Sequence, residues 1–205
     1  MVGARPRSAA RASGSALGAV NALVLNGRGD VLLQKRPRQK ENGGLWDKSV
    51  GGHVSAGEDF DTTMRREAGE ELFDDAGSGR VRLAGSEEEF AALVSTTADL
   101  SREVVLRRLS FQRNLRDVRR APDGGVRNVL YHVAIYGGRT DVGAAGFRRQ
   151  RSEIDELRYF TVADVDRMLL AGELAPNMAY LWLAHAYALV GWAGEARPEG
   201  GARGR

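Results

Sequence analysis

The chain switches between two hydrophobic periods, and the switches mark its parts. Residues 19–25 read AVNALVL, an almost unbroken apolar run of strand length, which predicts a strand covered on both faces. Asn26, Gly27 and Gly29 supply turn chemistry because Gly and Asn tolerate positive φ, and residues 31–36 (VLLQKR) return as a second strand. Residues 37–44 are polar and broken by Pro37, Gly43 and Gly44, so they predict a loop. Residues 45–50 predict a short strand leading into Gly51 and Gly52.

From Asp61 the period changes from two to about 3.6. Phe60, Met64, Ala68 and Leu72 recur every four residues and make one apolar helical stripe. Glu67, Glu70, Glu71 and Asp74 lie off that stripe. Asp59 or Asp61 is placed to cap the helix start, and the run Asp74-Asp75-Ala76-Gly77 to end it. Further on, residues 87–94 predict a short helix, and 104–109 and 111–115 read as strand or helix. The turn Pro122-Asp123-Gly124-Gly125 separates the latter from residues 126–136 (VRNVLYHVAIY), a strand that Gly137 and Gly138 close, and the two sides could form a hairpin. Residues 158–161 predict a strand, 162–170 a helix, and 178–192 a long apolar helix with Pro176 near its start. Strands interleaved with helices, together with hairpin signals, predict an α/β fold in which helices cover a mixed sheet.

Length adds that one domain fits the 205 residues. It is expected over residues 18–193, between disordered tails at 1–17, rich in Arg, Ser, Ala and Gly, and at 194–205, rich in Gly and Arg. The absence of cysteine excludes disulfides, thiolate zinc sites and a cysteine nucleophile. The net charge of +3 is scattered, which argues against nucleic acid as a partner, while a mild positive excess helps attract a polyphosphate. No apolar run approaches the ~20 residues needed to cross a bilayer. The first residues lack the apolar stretch of a secretory signal, so a cytoplasmic location is expected.

The chemistry gathers in two consecutive stretches, Gly51 to Glu58 and Arg65 to Glu71. Glu67, Glu70 and Glu71 lie three and four residues apart on one helical face, where like charges repel. A hard divalent cation would neutralise them, and all-oxygen ligation selects Mg²⁺ or Mn²⁺. Gly51 and Gly52 allow close backbone approach and could aim a carbonyl or amide at a metal or phosphate. Glu58 could pair with Arg66 and fix the loop against the helix. His53 could touch metal or phosphate, and Arg36, Arg113 and Arg127 could grip substrate phosphates. Trp46 and Tyr131 could stack on a base. His132 and His185 read as core and structural groups.

Gly52, Glu58, Arg66, Glu67, Ala68, Glu70 and Glu71 stand in the register of the box that defines the Nudix hydrolases, and the chain resembles that family. One position departs: Phe73 stands where the box ends in Gly, and Gly77 is placed to take over the helix stop. The resemblance implies an α/β/α sandwich with a mixed sheet. It implies metal on Glu67, Glu70, Glu71 and the Gly51 carbonyl, with Glu58 and Arg66 as a structural pair. The implied reaction is Mg²⁺- or Mn²⁺-dependent attack of water on a nucleoside diphosphate linked to another group, a pyrophosphohydrolase activity on a small-molecule diphosphate. Glu70 and Glu71 then take part in catalysis, and a carboxylate outside the box, Glu153 or Glu156, serves as general base or extra ligand. Dimers are common in similar proteins, so a homodimer is a further expectation. Gln34-Lys35-Arg36, Gly44-Leu45-Trp46-Asp47 and Ser49 to His53 also resemble the branch related to isopentenyl diphosphate isomerase. That isomerase needs a cysteine and several metal-binding histidines, which this chain lacks. The alternatives to a hydrolase are that isomerase chemistry or a Nudix-like ligand-binding module without catalysis.

Overall fold

The structure is a computed structural model, and it describes residues 7–77, 79–148 and 153–195. Strand β1 (Leu17–Leu25) organises it. Ala19, Leu23 and Leu25 point into one core, and Val20, Ala22 and Val24 into the other. This two-sided burial explains the unbroken apolar run. β1 runs parallel to β7 (Val126–Arg139) along one edge. Along its other edge it pairs antiparallel with β2 (Val31–Lys35) and with β4 (Val50–His53). β2 continues the sheet to β3 (Trp46–Asp47) and β8 (Glu156–Phe160). Beyond β7 lie β6 (Val104–Arg120), antiparallel to it, and β5 (Val81–Ala84), parallel to β6. The result is an eight-stranded mixed sheet.

Helices cover both faces. α2 (Phe60–Phe73) packs Met64, Ala68 and Leu72 on one side. α4 (Val162–Leu170) and α5 (Pro176–Glu195) pack Val165, Met168, Met178, Leu181 and Trp182 on the other. The α/β/α sandwich is therefore as expected. Among the described residues no helix is long and apolar enough to cross a membrane.

Several local expectations change. Residues 45–50 are not one strand: they split between β3 and β4, so Gly51 and Gly52 sit inside β4, paired with Asn21 and Val20. Gly137 and Gly138 do not close the hairpin strand but continue β7 beside Leu23 and Val24. A Cβ on Gly138 would meet Leu106 Cδ2 at 2.5 Å and Val105 O at 2.9 Å, so packing demands glycine there. Segments 104–109 and 111–115 form the single strand β6, with register shifts at Arg108/Ser110 and Gln112/Leu115 and Asn114 at φ 57°. β5 was not expected at all. The predicted helix at 87–94 is α3 (Glu87–Ala92) followed by a π turn, Leu93–Thr97. Within the first expected tail, α1 (Arg7–Ala12) is helical and buries Ala10 in the core. The rest of the expected tails, residues 1–6 and 196–205, lies outside the described residues.

Candidate active site

The acidic helix is built by its ends. Asp59 is the N-cap: its carboxylate accepts the Thr62 N–H at 2.6 Å, satisfying one of the free amides of the first turn. Asp61 is not the cap; it accepts the Tyr136 hydroxyl at 2.6 Å and pairs with Arg108, tying the helix to β6 and β7. At the other end Asp74 adopts the left-handed conformation at φ 54° and donates its N–H to Glu70 O. Asp74, not Gly77, stops the helix. The chain then folds back so tightly that a Cβ on Gly69 would lie 2.3 Å from Asp75 O. Phe73, standing where the box has Gly, is buried against Phe147, with the Arg80 guanidinium 4.0 Å from its ring centroid.

Arg66 gathers the carboxylates. Its Nε and Nη2 donate to the two oxygens of Glu58, both at 3.1 Å. Nη2 also lies 3.0 Å from Glu67 Oε1, and Nη1 3.1 Å from Glu70 Oε2. Thr63 Oγ1 donates to Glu58 at 2.8 Å. The hydrogen bonds from Arg66 and Thr63 hold the Glu58 carboxyl below the usual carboxylate range. The guanidinium is thus shared between the loop and two glutamates one helical turn apart.

The glycine bend meets this face from β4. Gly51 N–H donates to Glu71 Oε2 at 2.9 Å. A Cβ on Gly52 would sit 1.9 Å from Glu67 Cδ, so only glycine lets strand and carboxylate touch. Gly51, Gly52, His53, Glu67, Glu70 and Glu71 line one cleft of about 520 Å³, together with Arg66 and Glu153. Burial pushes the Glu67 carboxyl up against the opposing pull of Arg66. Glu71 is pushed up to about 8: burial raises it most, and Glu67 and Asp47 add to that against the Gly51 N–H and Lys48.

These features fit a hard divalent cation. The donors are oxygens, and crowded, desolvated carboxylates are what such an ion would relieve. Among the described residues no three Asp, Glu or His side chains converge closely enough to hold an ion unaided. The fit is therefore an open, one-sided site that leaves part of the coordination shell to backbone carbonyl, water and substrate, as Mg²⁺ commonly does.

The other sequence candidates divide. Glu153 reaches the cleft, with Lys40 Nζ at 2.7 Å from its Oε1. Glu156 does not line the cleft; it sits on β8 and pairs with Arg158. His53 lines the cleft, and its Nε2 lies 3.2 Å from the Tyr131 hydroxyl. Trp46 is not placed to stack on a base: it is a core residue, edge-on to Phe160 at 4.6 Å between centroids. Tyr131 is likewise buried. Arg127 and Arg113 lie away from the cleft on the hairpin, the former 3.4 Å from Glu41. Arg36 is occupied structurally, donating to Asp47 at 2.9 Å and to Glu41 O at 2.6 Å. His132 Nδ1 accepts the Asn114 N–H at the β6 irregularity, and His185 meets Ser110.

Sequence reading missed a second, smaller chamber that shares the wall of Gly51, Gly52, His53, Glu71 and Glu153. Its volume is about 170 Å³, and Asn21, Gln34, Arg36, Lys48 and Arg119 complete it. Lys48 is 5% exposed, and its Nζ lies 3.1 Å from Asp47 Oδ1. Arg119 donates to Asp117 at 2.7 Å and to Glu41 at 3.0 Å. The available signal was Asp47-Lys48, a charged pair between two apolar strand segments. Nothing local pointed to Arg119.

Comparison with known proteins agrees with the fold. The chain resembles the solved structure of DR0079 from Deinococcus radiodurans, with 21% identity, 80% of each chain covered and a TM-score of 0.53. It also resembles the Nudix domain of Shewanella oneidensis NrtR, solved in complex with ADP-ribose, at 16% identity over 90% of this chain and 99% of that one, TM-score 0.51. A bifunctional NMN adenylyltransferase/ADP-ribose pyrophosphatase from Francisella tularensis matches at 14% identity and TM-score 0.50; the similarity covers 86% of this chain but 42% of that larger protein. No curated protein matches the chain. The family model of the NUDIX domain matches residues 17–183, from the first residue of β1 into α5. The chain is a member of the Nudix hydrolase family.

Proposed function

We propose that the protein is a Mg²⁺- or Mn²⁺-dependent pyrophosphohydrolase that cuts the phosphoanhydride of a nucleotide or other organic diphosphate. One observation carries this reading: Glu67, Glu70 and Glu71 of α2 open into the same cleft as the Gly51-Gly52 backbone. Those three carboxylates and the Gly51 carbonyl would hold the metal. Bound there, a divalent cation would neutralise phosphate oxygens and activate a water for attack on phosphorus.

The chain's own groups supply the rest. The Glu58–Arg66 pair keeps the loop on the helix, and the Gly51 N–H orients Glu71. Glu153, on the wall facing α2 and steered by Lys40, is the carboxylate that would accept the proton of the attacking water. His53, held by Tyr131, would meet a substrate phosphate oxygen at the rim.

The test is a substrate panel of nucleoside di- and triphosphates, nucleotide sugars, dinucleoside polyphosphates and isoprenyl diphosphates, with and without Mg²⁺. Metal-dependent product release from at least one is the expected outcome. Tight binding without turnover of any would replace the hydrolase by a ligand-binding module. Conversion of isopentenyl diphosphate to its isomer would place the chain in the isomerase branch instead.

A further inference from the structure

Helix α5 is apolar on both sides. From Asn177 to Gly191 it holds no Asp, Glu, Lys or Arg. One face turns to the core, where Met178, Leu181, Trp182 and Leu189 are buried. The other recurs at spacings of four and three residues, Leu183, Tyr187 and Val190, and stays open at 74%, 97% and 38% exposure. Ala184 and Ala188 lie exposed beside them, too small to hold a neighbour away. A helix that is apolar all round is ordinarily a covered one. The described residues leave this face bare. Residues 149–152 and 196–205 have no large apolar side chain to lay on it, and residues 1–6 offer only Met1 and Val2.

We propose that this face packs against the same face of a second copy of the chain, α5 against α5 across a two-fold axis. Charge decides the choice of occupant. An uncharged face meets its own copy without like-charge repulsion, whereas an acidic or basic partner would have to bury its charges unpaired. A helix that lies on an anionic lipid surface carries Lys or Arg along its polar side, and α5 has neither up to Gly191. Area agrees with this choice. Tyr187 presents on the order of 200 Å², and Leu183, Val190 and the two alanines raise the face to roughly 400 Å². Leu170, 88% exposed and the last residue of α4, extends it toward the turn into α5. A homodimer interface of about 800 Å² per partner is about 65% apolar and so needs on the order of 500 Å² of such surface. Because α5 and α2 cover opposite faces of the sheet, the pairing leaves the acidic cleft open. It does not depend on the hydrolase reading.

Sedimentation equilibrium of the full chain tests it. The mass expected at high concentration is twice the 22.2 kDa of one chain. Leu183→Glu and Tyr187→Glu each enter a two-fold interface twice and should raise the dimer dissociation constant on the order of a hundredfold. Their circular dichroism should match the parent's, since both side chains are exposed, and Tyr187→Ser replaces either variant that does not fold. The absence of cysteine allows a second measurement. Ala184→Cys or Ala188→Cys should give a covalent dimer with a short bismaleimide, and Asp123→Cys, in the β6–β7 turn, should not. A parent that stays monomeric, a dimer that the folded variants keep, masses that grow past a dimer, or no cross-link at either alanine overturns the proposal. So does binding of the parent to anionic phospholipid vesicles that the same variants lose.

Discussion

Glu71 and Asp47 are both buried residues, yet their carboxyls are driven in opposite directions. Burial pushes the Glu71 carboxyl up to about 8, and Glu67 and Asp47 add to it against the Gly51 N–H and Lys48. Burial also works against the Asp47 charge, but Lys48, Arg36 and the Lys48 N–H outweigh it and lower that carboxyl to about 2. The difference separates two ways of keeping charge inside a protein. At Asp47 the compensating cations are part of the chain, so the site is complete when the chain folds. At Glu71 the Gly51 N–H and Lys48 compensate too little, and the helix keeps a demand for positive charge that a divalent ion can satisfy.

The contrast can be broken at its acidic side first. Glu71→Gln should lower kcat by about a thousandfold, the scale seen when a main electrostatic element of a reacting site is removed. The melting temperature should stay level or rise, since a neutral amide is easier to bury than a carboxylate. Steady-state kinetics and thermal melts of the same preparation check both, and retained turnover would show that Glu71 is not needed for the chemistry. The basic side should respond in stability instead. Asp47→Asn leaves Lys48 and Arg36 without their shared anion, and denaturant unfolding should register a loss of about 3 kcal/mol. A loss below about 1 kcal/mol would mean that solvent or Glu71 takes over the neutralisation.

The smallest effect sharpens the comparison through pH. The folded Glu71 carboxyl titrates above its ordinary value of 4.5, so between there and about 8 the native state holds a proton that the unfolded chain releases. Stability of metal-free protein should accordingly fall as pH rises through that window, by at most about 1.4 kcal/mol per pH unit. Mg²⁺ added at the upper end should restore it, and Glu71→Gln should flatten the slope. Asp47 contributes the reverse: its stabilisation is present above its ordinary 3.8 and is lost as pH falls toward about 2. Melting temperatures in chelator across pH 3 to 8 (a range set by these two groups) separate the two slopes.

What could be read from sequence follows the distance over which each feature is determined. The α2 stripe and the Glu58–Arg66 pair depend on neighbours within about a dozen residues, and spacing exposes them, while it narrows the cap to Asp59 or Asp61. Gly51 and Gly52 were legible as a close approach, but not as interior residues of β4, because that status comes from pairing with β1. The same holds for Gly137 and Gly138: their composition signals a stop, while Leu106 and Val105 across the ladder require glycine at 138 in mid-strand. The internal contacts of Arg36 and Trp46 were hidden for a related reason. Their residue types suit ligands, and only the arrival of Asp47 and Phe160 reveals them as internal partners. The chamber was illegible because Lys48, between β3 and β4, and Arg119, on β6, reach one wall only through long-range strand pairing.

The triple pairing of β1 also orders the making of the protein. Its antiparallel partners β2 and β4, and the helix that follows them, all emerge within the first 73 residues. Its parallel partner β7 arrives more than a hundred residues after it, along with the strand that carries Arg119. Closing that long loop is the entropically expensive and slow step. A nascent chain therefore carries its acidic helix, Arg36 and Lys48 early and waits, with one edge of its central strand open, for Arg119 and Glu153 to be synthesised.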